Sequence, residues 1–147
     1  MKETLSADDS TVRKLLGMKT IAVVGLSKAP SKPSHDVAKY LLDHGYQVIP
    51  INPTVDKVLG LKSYSSLSDL PDEVRKAVDV VDIFRRSEDI PPIVDEAISL
   101  HNGAGHPTAI WMQLGIVNEE AARKAKAAGM DVVMDRCMKI EHSRFRN

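Results

Sequence analysis

A glycine followed by a hydroxyl residue and two lysines is the feature of this chain best suited to hold a phosphate: Gly25-Leu26-Ser27-Lys28, with Lys32, Pro33 and Ser34 close behind. Glycine lets the backbone approach an anion closely. Ser27 brings a hydroxyl, and Lys28 and Lys32 bring charge. Ser34 stands where a helix can begin and offer its unpaired N–H groups to the anion. The bland alternative is that Gly25 only permits a sharp turn and the lysines are solvated. The segment is not a G-x-x-x-x-G-K-S/T loop. It also lacks the later glycines of the G-x-G-x-x-G dinucleotide fingerprint.

Other segments carry polar or turn residues just where an apolar run stops. Pro50-Ile51-Asn52-Pro53 ends one run without the Asp or Glu that usually holds the ribose of NAD, which disfavours that cofactor. Phe84-Arg85-Arg86 ends another. Its guanidiniums can pair with phosphates and Phe84 can pack on a base or an acyl arm; equally, one arginine can pair with Glu88 or Asp89 at the surface. In Trp111-Met112-Gln113-Leu114-Gly115, the tryptophan is expected in the core. Gln113 and Gly115 are the better site candidates, since neither is needed there. Asp135-Arg136-Cys137 can bring a thiol near the site, although a lone cysteine is more often a small buried hydrophobe. The five histidines show no recognised metal spacing, and His35 near the first loop fits a solvent-facing helix position equally well.

Residues of these kinds act together only if a scaffold gathers them. The chain supplies one in the order of its elements. Ser10 to Gly17 has helical spacing of Val12, Leu15 and Leu16. Ile21 to Val24 is a short apolar strand; Ser34 to His44 is a helix capped by Ser34 and ended by Gly45. Tyr46 to Ile51 is a strand, Val58 to Tyr64 a short extended piece, and Ser68 to Arg75 a turn and brief helix. Val78 to Phe84 is a strand, followed by a helix around Ile93, Val94, Ala97 and Ile98 with Pro91 and Pro92 in its first turn. Thr108 to Met112 is a strand. Asn118 caps a helix closed by Gly129, and Met130 to Met134 is the last strand. The tail from Glu141 is expected at the surface. This alternation predicts an α/β chain: a Rossmann-like three-layer sandwich with a mainly parallel sheet, residues 1–147 forming one domain. Ligands of such sheets bind beyond the carboxyl ends of the strands, where all five candidate segments fall.

Composition narrows the partners. Twenty Lys+Arg balance 20 Asp+Glu, so there is no basic excess for nucleic acid. No apolar run reaches the roughly 18 residues needed to span a bilayer. The single cysteine allows no internal disulfide, and the acidic start Met1 to Asp9 is unlike a signal peptide; a cytoplasmic location is expected.

The chain resembles small, free-standing CoA-binding proteins and is similar to the N-terminal CoA-binding domain of the succinyl-CoA synthetase α subunit. The resemblance rests on Ala22 to Ser27, Lys32 to Ser34, Tyr40 to Pro53, Val80 to Arg86, Ile110 to Gly115 and Val133 to Cys137. It implies coenzyme A or an acyl-CoA as ligand, with phosphates and adenosine around Gly25, Ser27 and the loop to Ser34. Further contacts are implied near Asn52-Pro53, Phe84-Arg85 and Gln113 to Gly115. The stretch Leu100 to Pro107 looks longer than the family's helix-to-strand link. The synthetase's second domain, with its phosphohistidine, has no counterpart in these residues, so ligase activity is not implied. A non-catalytic binding protein is expected, with an acyl-CoA enzyme or an NAD-type binder as alternatives. Cys137 with His142 is the one speculative catalytic couple, no metal site is expected, and a homodimer is left open.

Overall fold

The computed structural model describes residues 8–146. The stretch 1–7, which holds most of the acidic N-terminal reading, lies outside the described residues. Helix α1 (Asp9–Leu16) starts at Asp8, whose carboxylate accepts from the Thr11 N–H at 3.0 Å. Strand β1 (Thr20–Val24) follows, then α2 (Pro33–Asp43) and β2 (Gln47–Ile51). The extended piece is a small hairpin of β3 (Lys57–Val58) and β4 (Leu61–Lys62). After a 3-10 turn at Leu67–Asp69 come α3 (Asp72–Arg75), β5 (Val80–Ile83), α4 (Ile90–Ala104), β6 (Ala109–Met112), α5 (Glu119–Ala127), β7 (Asp131–Val133) and α6 (Met138–Phe145).

Five strands form one parallel sheet in the order β2-β1-β5-β6-β7. β1, β5 and β6 are buried along their whole length because helices cover both faces. Ala22, Val24, Val81, Ile83, Ile110 and Met112 pack with α4 and α5 on one side. Ile21, Val23, Val80, Ala109 and Trp111 pack with α1, α2 and α6 on the other. This is the Rossmann-like sandwich that the alternation predicts. Strand order reverses between β1 and β5, so the loops after those strands diverge and leave a crevice at the carboxyl edge.

Three local expectations are corrected. Ser34 does not cap α2: the cap position is Lys32, Pro33 occupies the first turn, and the Ser34 hydroxyl faces back to the first loop. The link Leu100 to Pro107 is not a long loop, since α4 runs through it to Ala104 and ends at Gly105 in the left-handed region. The tail from Glu141, expected at the surface, is exposed only in part. Residues Met138–Phe145 form α6, which buries Met138 and Glu141, with Glu141 paired to Arg136 and Arg144. No described helix is long and apolar enough to cross a membrane.

Candidate functional site

The turn after β1 is held from several directions. Gly25 has φ +86°, a region costly for side-chain-bearing residues. Its N–H donates to the Ile51 carbonyl at 2.8 Å, tying the turn to β2. On the other side the turn touches the loop after β5. A Cβ at position 25 would stand 2.5 Å from the Phe84 carbonyl oxygen and 3.0 Å from Arg85 Cδ. Only glycine fits there. The Ser34 hydroxyl accepts from the Ser27 N–H at 2.9 Å, and the Ser27 hydroxyl accepts from the Ala29 N–H at 3.0 Å. The hydroxyls therefore shape the loop. Among the described residues, the Lys28 and Ser34 N–H groups have no protein acceptor, so backbone donors remain at the mouth of α2.

Beside this turn lies a cavity of about 650 Å³, within the range of small-molecule sites. Gly25, Ser27, Lys32, Pro33 and Ser34 line one side, and Phe84, Arg85, Arg86 and Gln113 line another. Val37, Leu114, Ile116, Cys137 and Ile140 complete an apolar wall. A smaller hollow of about 340 Å³ shares Gly25 and Arg85 and is bounded by Pro53, Pro92 and Ile93. The two spaces flank the crevice at the β1–β5 reversal.

The cations divide. Arg86 pairs with Asp89 at 3.1 Å and Glu88 at 3.6 Å, and its pKa is raised by the Asp89 hydrogen bond and the two carboxylates. Arg85 lines both spaces and has no carboxylate partner among the described residues. Lys32 lines the cavity; Lys28 is exposed and does not. Thus the surface-pair alternative holds for Arg86, while Arg85 keeps its charge available.

Nine of the thirteen sequence candidates therefore line the main cavity and Pro53 lines the second hollow. Asn52 serves the scaffold: its amide donates to the Leu26 carbonyl at 2.9 Å, and its oxygen accepts from the Thr54 N–H and hydroxyl. Gly115 lies outside the lining; its N–H donates to Asp135 Oδ1 at 2.7 Å, joining the loops after β6 and β7. Gln113, expected to be spare to the core, is instead buried and only 3% exposed. Trp111 is fully buried, and its indole donates to the Arg136 carbonyl at 2.8 Å. His142 does not face Cys137 as a base; its Nδ1 meets the Tyr40 hydroxyl at 2.8 Å.

Beneath the cavity floor is an acid that the sequence reading passed over. Asp82 sits opposite Trp111 in the register of β5 and β6 and is fully buried. Gln113 donates its Nε2–H to Asp82 Oδ1, while Oδ2 has no partner. Gln113 Oε1 accepts from the Met138 N–H at 3.4 Å, so one side chain links two strands to the start of α6. Burial pushes the Asp82 carboxyl up to about 7, against the Gln113 hydrogen bond, which lowers it. The signal was present: Asp82 is the only charge in Val80-Val81-Asp82-Ile83-Phe84. Ile140 was missed because no helix was expected after the last strand, whereas α6 sets it three residues beyond Cys137, on the same helix face.

Comparison with known proteins adds to this geometry. A family model described as a CoA binding domain matches residues 19–143. Uncharacterized protein YneT of Bacillus subtilis (strain 168) is 43% identical over 125 residues, spanning 85% of this chain and 86% of that protein. The ADP-forming acetate–CoA ligase II of Archaeoglobus fulgidus is 39% identical over 69 residues, which span 46% of this chain but only 10% of the ligase. Among solved structures, a hypothetical protein from Pyrococcus horikoshii OT3 superposes with a TM-score of 0.85 at 38% identity, covering 100% of both chains.

Proposed function

The chain belongs to the CoA-binding domain family, and on that premise we propose that it binds coenzyme A or an acyl-CoA across the crevice between the loops after β1 and β5. The observation that carries the reading is the Gly25 turn: a backbone pressed against Phe84 at the edge of a cavity, where a Cβ would strike the Phe84 carbonyl. A bare backbone at a helix mouth suits a pyrophosphate. The Ser34 N–H donates to it, and Lys28, Lys32 and Arg85 offset its charge. The adenosine lies toward Asn52-Pro53 and the smaller hollow. The pantetheine arm runs along Phe84, Val37 and Ile116, toward Cys137 and Ile140.

The protein acts as a binder without chemistry of its own. Cys137 reaches the cavity, but the one sequence candidate for its base, His142, is engaged by Tyr40. An NAD-type ligand is disfavoured because Asn52, not an acid, follows β2 and its amide is spent on the scaffold. Competition tests the assignment: a fluorescent CoA analogue bound to the protein is displaced by CoA and not by NAD. Displacement by NAD at equal or lower concentration would replace the CoA reading with the dinucleotide one.

A further inference from the structure

At the end of the fold opposite the cavity, α2 and α6 meet through an unusual set of groups. The ring of His44, which caps α2, stacks on Tyr40 with centroids 3.9 Å apart. His44 Nδ1 lies 2.8 Å from the Tyr40 carbonyl oxygen, which can only accept. His44 Nε2 lies 2.6 Å from Arg146 Nη1, which can only donate. Together these contacts define the tautomer: Nδ1 carries the proton and Nε2 offers its lone pair. The Nδ1–H bond to Tyr40 survives protonation of the ring, but the Arg146 bond holds only while the ring is neutral. A proton on Nε2 turns the Arg146 hydrogen bond into a contact between two cations. One turn away, His142 sits 5.2 Å from the His44 ring and takes the Tyr40 hydroxyl on Nδ1.

The surroundings offer no counter-charge among the described residues. On α2, Asp43 is paired with Lys39 and Asp36 with Lys139. On α6, Glu141 is held by Arg136 and Arg144, and Arg144 also pairs with Asp9 of α1. From α1, Arg13 lies over the Phe145 ring, adding another cation. Ahead of β2, Tyr46 donates its hydroxyl to the Leu16 carbonyl and presents only its ring to His142. The other end of α6 forms part of the cavity wall through Cys137 and Ile140.

We propose that His44 and Arg146 form an acid-sensitive latch that seats α6 on α2 and so keeps Cys137 and Ile140 in place along the cavity. Two groups work in the same direction. Protonating His44 breaks its bond to Arg146. His142 has its pKa lowered by burial and by the neighbouring His44 and Arg146. For a base lowered in this way, the folded state is fully favoured above the ordinary histidine range near 6.5 and loses stability as pH falls through it toward the folded value. In its effect on ligand, the proposal rests on the CoA reading above.

Amide hydrogen exchange over residues 138–145, corrected for intrinsic rates at pH 7.5 and pH 5.5, tests the latch without ligand. In the unaltered protein protection is expected to fall about 10-fold on acidification. In His44→Gln, where an amide can donate to Tyr40 and accept from Arg146 at either pH, the fall should be clearly smaller, leaving only the part that comes from His142. His44→Arg should be loosened already at pH 7.5. Equal acid-induced loss in the unaltered protein and His44→Gln would overturn the latch, as would full protection of His44→Arg at pH 7.5. CoA affinity on the same proteins should weaken on acidification only where the latch opens. A protein that binds no CoA at either pH would sink the CoA reading and leave the exchange result to decide the latch.

Discussion

Replacing Asp82 with asparagine should stabilise the protein at neutral pH and leave it nearly unchanged near pH 4. The folded state keeps the Asp82 proton up to about 7, while an unfolded chain releases it near the ordinary 3.8. Between those values the unfolded state binds fewer protons than the folded state, so stability falls as pH rises, by about 1.4 kcal/mol per pH unit. Over the roughly three units of the window, the accumulated cost is on the order of 4 kcal/mol. Above pH 7 the folded carboxyl also ionises and the cost levels off. Asparagine carries no such charge and keeps the oxygen that accepts from Gln113 Nε2. Near pH 4, the protonated carboxyl and the amide of Asp82→Asn are close to equivalent, each with one oxygen on Gln113 and one donor without a partner. Urea unfolding of both proteins from pH 4 to pH 8 checks this. The variant's advantage should grow from near zero to about 2–4 kcal/mol. Parallel stability curves, or a variant less stable at pH 8 than the unaltered protein, would refute a buried, proton-holding Asp82.

Three further outcomes follow from the site. Gly25→Ala adds left-handed strain and a Cβ against the Phe84 carbonyl; thermal and urea unfolding should show a loss of about 2–4 kcal/mol, and ligand affinity should drop with it. Arg85→Ala should weaken CoA binding about 10-fold, whereas Arg86→Ala, whose guanidinium is already paired with Glu88 and Asp89, should change it less than about 3-fold; equal losses would contradict the division of roles. Cys137 lines the cavity and is free. Incubation with CoA disulfide should let its thiolate attack the S–S bond, forming a mixed disulfide and releasing one CoA thiol; intact mass should then rise by one CoA moiety, and not in Cys137→Ser.

Much of this was legible in the sequence because parallel sheets write themselves as apolar runs. Ile21 to Val24, Val80 to Ile83 and Ala109 to Met112 are buried on both faces, so each reads as a hydrophobic stretch, with Asp82 the one charge among them. The carboxyl-edge rule then placed Gly25, Phe84, Arg85 and Gln113 near one another before any distance was known. What escaped depended on long-range packing. Helix α6 has few apolar residues and is held by partners remote in sequence, such as Asp36, Tyr40 and Asp9. The Asp82–Gln113 contact joins neighbouring strands 31 residues apart, a separation local periodicity does not report. The division between Arg85 and Arg86 turned on which way each side chain leaves the loop. Spacing from Glu88 and Asp89 made the surface pair conceivable for either arginine.

Calorimetric titration of the purified protein with coenzyme A bears most directly on the central reading. A saturable heat corresponding to one CoA per chain, carried over to an acyl-CoA and strongly weakened in Gly25→Ala under conditions where that variant remains folded, is the expected result. The absence of heat and of any thermal shift with CoA and acyl-CoA would contradict it.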